Sequence, residues 1–277
     1  MHAASACYTP FMNSRTRRFF AFALFVLALS AAQATFAESL KVDLVTDSII
    51  LAGGVAAAGL SELLLPSLPP PWGSLGTPDI SSVNALDRAL MFSYSHGYDL
   101  ASTILEYSSV AGPALFALVV DPGDFLTMGI VYGQAVSCAF AVKNLLNYLL
   151  PRYRPYMYNG GASGVDSSED DRSFPSGHAT VAFAAATAGV TIYAMSFPES
   201  PYLVPFAVAS YGIAVLTGAF RVTAGMHFVT DVVAGAALGT AIGYLVPFLH
   251  RQRASENRNG GLSLETSGPD LFVRYRY

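Results

Sequence analysis

The sequence predicts an all-α membrane protein, a polytopic helix bundle with five to six core helices. Hydrophobic residues make up 53% of the 277 positions and charged residues only 12%, about half of the ~25% usual in a soluble domain. The apolar residues are gathered into runs near the ~20 residues that cross a bilayer, with polar stretches between them. The formal charge of -4 is small for this length, and the basic residues form no stripe, which excludes nucleic acid as a partner.

Residues 1–37 read as a secretory signal. Arg15, Arg17 and Arg18 precede the apolar run 19–32, and small residues lead to Thr35, Phe36 and Ala37, so cleavage is expected after Ala34 or Ala37. An uncleaved anchor helix is the alternative, and Met12 offers a second start. Cys7 would leave with the signal, and Cys138 then stands alone in an apolar segment, as a small hydrophobe and not part of a disulfide framework. Residues 38–97 form an N-terminal segment with a short apolar helix and a Pro-rich loop. Its apolar stretch 48–60 is interrupted by Glu62 and ended by Pro66. About 13 uninterrupted residues suit a buried or interfacial helix better than a span. Trp72, beyond the prolines, is expected to anchor at the membrane interface.

The core, 98–250, holds five apolar spans at about 98–120, 124–150, 176–197, 201–221 and 227–249, each long enough to cross as a helix. Ala234, Gly235, Ala236 and Gly239 are small residues of the kind that let neighbouring helices approach closely. A polar loop, 151–175, separates the second and third spans. The tail 251–277 is polar and Gly-rich and is expected to be mobile. Arg251, Arg253 and Arg258 place the C-terminus in the cytoplasm by the positive-inside rule. Five spans then put the loop 151–175 and the turn 220–227 in the periplasm of a bacterial inner membrane. This agrees with a cleaved signal, and a sixth span at 48–60 would break the agreement unless residues 19–37 stay in the cytoplasm.

Three polar clusters fall at span ends on that same side: Arg152 to Pro155, Ser173 to His178, and Arg221 with His227 and Asp231. His227 and Asp231 are four apart, so on a helix they share a face. A carboxylate that fixes the imidazole leaves one ring nitrogen free as a nucleophile, although the same pair can serve only as a helix cap. Ser176 and Gly177 open a helix after Pro175, where free backbone N–H groups attract an anion. His178 then stands beside that anion, placed to protonate a departing oxygen. Arg154 and Arg221 are costly beside a bilayer unless they face water or an anion, and a guanidinium pairs with phosphate in a bidentate fork. The acidic run 168–171 reads as a solvated loop, and no residues stand at metal-ligand spacing.

Taken together, Arg154-Pro155, then Ser173-Phe174-Pro175-Ser176-Gly177-His178, then Arg221 with His227 and Asp231 resemble the three-part signature of the type 2 phosphatidic acid phosphatase superfamily, over about residues 143–240. The resemblance implies the bundle fold shared with the vanadium haloperoxidases, a phosphohistidine intermediate and no cofactor or required metal. It implies His227 as nucleophile, Asp231 as its orienter, His178 as general acid, and Arg154, Arg221, Ser176 and Gly177 as the phosphate cradle. Two positions depart from the family pattern. Asn147 stands where the family has lysine, and Lys143, one helical turn earlier, is the candidate replacement. Phe220 stands where a small hydroxyl residue is usual. The substrate expected is a phospholipid or polyprenyl (pyro)phosphate drawn from the surrounding membrane lipids, with the individual lipid unspecified. A vanadate-binding haloperoxidase and an anion-binding or transport protein are the competing readings.

Overall fold

The structure, a computed structural model, describes residues 40, 42–69, 71, 73, 75–113, 122–256, 261–267 and 270–276. The signal expected at 1–37 and the anchor expected at Trp72 lie outside these residues. The helices are α1 (Leu44–Leu64), α2 (Ala85–Ala89), α3 (His96–Ala111), α4 (Pro122–Leu149), α5 (Gly177–Ser196), α6 (Leu203–Thr223) and α7 (Val229–Glu256). All but the short α2 run lengthwise in one bundle.

At the centre lies α5, in which every residue from Ala179 to Ala194 is buried. Its many alanines leave room for a neighbour, and α7 takes that room with a stripe of glycines. A Cβ added at Gly235 would lie 2.6 Å from the Ser176 carbonyl oxygen, one at Gly243 would lie 2.5 Å from that of Ala184, and one at Gly239 would collide with that of Thr180. The two backbones therefore touch, which only small residues allow. Phe183 and Val190 of α5 meet Tyr211 and Ala214 of α6 and Ala236 of α7 in the main apolar cluster. α3 packs on α5 and α6, and α1 packs on α4.

The expectation of a short apolar helix at 48–60 is corrected. Its helix runs from Leu44, capped by the Asp43 carboxylate on the Thr46 N–H at 2.8 Å, and with the turn that follows it forms a 24-residue apolar stretch. Glu62 does not break it, because the charge is met by Lys143 at 3.5 Å and by the Asn144 side-chain amide at 2.9 Å. By length and composition α1, α4, α5, α6 and α7 are each able to cross a membrane, and the protein is multi-pass. The span expected at 98–120 is described only as α3, 16 residues long, and residues 114–121 lie outside the description.

The six long helices alternate in direction. Glu62 near the end of α1, Asp99 near the start of α3, Lys143 late in α4, His178 at the start of α5, Arg221 late in α6 and His227 just before α7 line one cavity. At the other end, Asp47 of α1 and His250 of α7 are 3.2 Å apart. The chain thus enters α1 and leaves α7 on the same side, which five spans would not do. The tail also carries two strands. Strands β1 (Gly261–Ser267) and β2 (Asp270–Arg276) pair antiparallel, Leu264 opposite Val273. In β1 the alternation of Leu262 and Leu264 with Ser263 and Glu265 is the period of a strand.

Candidate active site

Local hydrogen bonds bring the three polar clusters together. The Arg152 N–H donates to the Asp171 carbonyl at 2.7 Å and the Ser173 N–H to that of Arg152 at 2.9 Å, so the first cluster lies flat against the approach to the second. The Ser176 N–H donates to the Asp231 carbonyl at 3.0 Å, joining the second to the third. Gly225, with φ of 69°, forms the turn before His227. A side chain there would meet the Phe92 carbonyl oxygen at 2.5 Å.

His227 is 2% exposed. Its Nδ1 lies 2.8 Å from the Ser173 carbonyl oxygen. A carbonyl can only accept, so Nδ1 carries the proton and Nε2 presents the lone pair. Burial, and then the positive charges of Arg154 and Arg221, hold His227 well below the usual histidine range, so the ring is neutral near pH 7. Nε2 faces Arg154 Nη1 at 3.4 Å.

The contact expected between Asp231 and the His227 ring is absent, and the Ser173 carbonyl takes that place. One oxygen of Asp231 accepts from the Phe228 N–H at 2.8 Å and the Ser173 hydroxyl at 2.6 Å, and the other accepts from Arg152. Asp231 closes the first turn of α7 as the acidic member of a capping box. It reaches His227 only through Ser173, a positioning role in place of direct contact. Arg152 in turn donates to Asp87 at 2.8 Å and to the Thr230 hydroxyl at 2.9 Å. Although burial works against its charge, the carboxylates of Asp231 and Asp87 outweigh it and raise its proton affinity.

Arg154, Arg221 and Gly177 line a cavity of about 340 Å³, and Ser176 is buried next to Gly177. Arg154 is held by the Glu169 carboxylate and by its carbonyl at 2.6 Å. Arg221 pairs with Asp99 and donates to Ser102 at 3.3 Å. Two buried polar atoms in this region, Arg221 Nε and Ser176 Oγ, have no hydrogen-bond partner among the described residues. Buried polar groups are rarely left so unless a ligand completes them. Lys143 belongs to the same cavity. A Cβ on Gly177 would lie 3.4 Å from its Nζ, so the ammonium sits against the start of α5. Asn147 also lines the cavity, but its side-chain amide donates to the Pro175 carbonyl at 3.0 Å, tying down the loop. His178 contacts α3, with Nε2 3.1 Å from Thr103 Oγ1 and 3.3 Å from Glu106.

Residues 126–255 match the family model described as the PAP2 superfamily. In general terms this is a lipid phosphatase family, and the PAP2 match spans α4 to α7, with all three clusters inside it. A comparison with curated proteins finds no match. Among solved structures, the crystal structure of a transmembrane PAP2 type phosphatidylglycerolphosphate phosphatase from Bacillus subtilis is 23% identical. That match covers 84% of this chain and 96% of that chain, with a TM-score of 0.38.

Several site residues lie outside the motifs: Glu62, Asp87, Asp99, Thr103 and Glu106 come from α1, α2 and α3. The signal that finds three of them is simple. A carboxylate within an otherwise apolar segment is costly, and Glu62, Asp99 and Glu106 are such residues. Asp87 lies in a polar stretch and carries no such mark.

Proposed function

We propose that the protein hydrolyses a lipid phosphate monoester or pyrophosphate through a phosphohistidine at the periplasmic face. The observation that carries this is the pair of buried donors, Arg221 Nε and Ser176 Oγ, that have no hydrogen-bond partner among the described residues, in the polar region where His227 Nε2 faces Arg154. These groups suit a phosphoryl group that accepts hydrogen bonds while one face of its phosphorus meets the nucleophile.

In this reading His227 Nε2 attacks phosphorus and the bond to the lipid oxygen breaks. His178 gives that oxygen its proton. The phosphohistidine is then hydrolysed: water attacks phosphorus, His178 recovers a proton from it, and inorganic phosphate leaves with the His227 ring restored. Arg154, Arg221, Lys143, Ser176 and the N–H groups at Gly177 neutralise the charge that builds up on the phosphoryl oxygens. Asp231 holds Ser173, and Ser173 holds the His227 ring.

The test is rapid quenching with a labelled phosphatidic acid in detergent. Wild-type protein should show label that is stable in alkali and lost in acid, as expected for phosphorus on nitrogen. His227→Ala should abolish both label and turnover. Vanadate should inhibit, and EDTA should leave the activity intact. Turnover without any labelled protein, or label retained in His227→Ala, would reject the proposal. Loss of activity in EDTA that magnesium restores would move the chemistry to the carboxylates of the cavity.

A further inference from the structure

The cavity contains four carboxylates, and three of them are engaged with a cradle cation. Glu62 lies 3.5 Å from Lys143, Asp99 pairs with Arg221, and Glu169 pairs with Arg154. The fourth, Glu106, is 9% exposed and its contact is with a histidine: Oε2 lies 3.3 Å from His178 Nε2. Thr103, one turn earlier on α3, touches the same nitrogen at 3.1 Å. The Thr103 hydroxyl donates its own hydrogen to the Asp99 carbonyl at 3.1 Å, so toward His178 it only accepts. Two acceptors and no donor face Nε2, which therefore carries a proton.

The other charged groups that face His178 are unfavourable to a second proton. Lys143 from α4, Arg154 from the loop and Arg221 from α6 line the same cavity, with His227 ahead of α7. Among the acids, Asp99 of α3, Glu62 of α1 and Glu169 of the loop are tied to those cations. Glu106 is the carboxylate left to offset them at His178.

We infer that Glu106 is the positioning residue of the general acid, fixing the His178 ring and stabilising its imidazolium, the form with a proton to give to the leaving oxygen. This rests on the reading of His178 as that acid. When the phosphorus–oxygen bond breaks, the imidazolium loses one proton to the lipid alcohol and keeps the other. It regains a proton from the water that hydrolyses the phosphohistidine. Glu106 itself takes no proton and does not touch the substrate. Its origin in α3, ahead of the residues the family model matches, means that a helix outside the signature completes the site.

The experiment compares wild type with Glu106→Gln, measuring kcat against pH on phosphatidic acid micelles and on p-nitrophenyl phosphate, whose leaving group departs unaided. An opposite charge at this range moves a pKa by about 1 to 3 units. The alkaline limb of the lipid profile should therefore fall by about one unit or more in Glu106→Gln. The kcat on that limb should drop about tenfold for each unit, while turnover of the aryl ester keeps near its wild-type rate. Glu106→Asp should recover part of the shift, and Thr103→Val should shift the limb in the same direction by less. An unmoved limb, or equal losses on both substrates, would overturn the inference. If Glu106→Gln does not fold, an unmoved limb in both Glu106→Asp and Thr103→Val overturns it equally well. The underlying reading fails separately: His178→Ala would then damage both substrates alike, whatever Glu106 does.

Discussion

His227 owes its chemistry to the group on the far side of its ring. A carbonyl at Nδ1, 2.8 Å away, selects one tautomer without adding a charge, and leaves Nε2 as the nucleophile of the proposed reaction. The same scale decides between Lys143 and Asn147. Lys143 Nζ sits against Gly177, at the helix start where the phosphoryl group is expected, whereas the Asn147 amide is spent on the Pro175 carbonyl. Lys143→Ala should therefore lower kcat by about 10² or more, as removal of one charge-stabilising donor does. Asn147→Ala should lose about 1 kcal/mol of stability with little change in kcat. Asn147→Lys should not help, because a second ammonium would crowd the first. Steady-state kinetics and thermal unfolding of the three variants in detergent check this, and a larger kcat loss in Asn147→Ala than in Lys143→Ala would reverse the assignment.

Between elements, two contacts hold the site in register. The first is ionic. Arg152 bridges Asp87 of α2 and Asp231 of α7, and both carboxylates are 0% exposed. Arg152→Met keeps much of the packing over Phe228, whose ring lies 4.2 Å from the guanidinium, but strands two buried acids. The expected loss is about 3 kcal/mol or more in unfolding experiments. A variant as stable as wild type would show that the carboxylates find other partners. The second contact is steric, where α7 touches α5 along Gly235, Gly239 and Gly243. Gly239→Val should force the helices apart at a cost of about 1 to 3 kcal/mol. It should also lower kcat, since α5 carries Ser176 and His178 at its start. Gly212→Val, where nothing lies within 4 Å, is the control, and equal effects of the two would discount the close approach.

Over the whole molecule, the direction of the helices settles which ends lie together. Asp47 and His250 meet 3.2 Å apart, so Leu44 and Arg251 are on the face opposite the cavity. If the basic end of α7 is cytoplasmic, α1 also begins there and the cavity opens to the periplasm. The six residues 38–43 reach roughly 20 Å when extended, too short for a hydrocarbon core of about 30 Å. Cleavage at Ala37 in the periplasm is then incompatible with this orientation. The purified chain should keep residues 19–37 by intact mass. A reporter enzyme active only in the periplasm should work when inserted near Gly161 and fail when fused after Arg251. A mature chain starting at Glu38 together with a cytoplasmic C-terminus would contradict the six alternating helices.

The helical class, the last four spans of the core and the residues of the three clusters were legible from composition, run length and motif spacing, because burial in a bilayer demands long apolar helices and phosphate chemistry demands particular side chains. α1 was not, since the reach of its helix depends on Glu62 being neutralised by Lys143, a partner far along the chain. The spacing of His227 and Asp231 suggests one helical turn, but His227 precedes α7, and Asp231 caps that helix and holds Ser173 instead of the ring. Which acceptor faces His227, the placing of Lys143 rather than Asn147 against Gly177, and the presence of Glu106 at His178 were decided by tertiary structure alone. Each is a contact between elements far apart in sequence, and spacing along one helix carries no information about what a second helix brings to it.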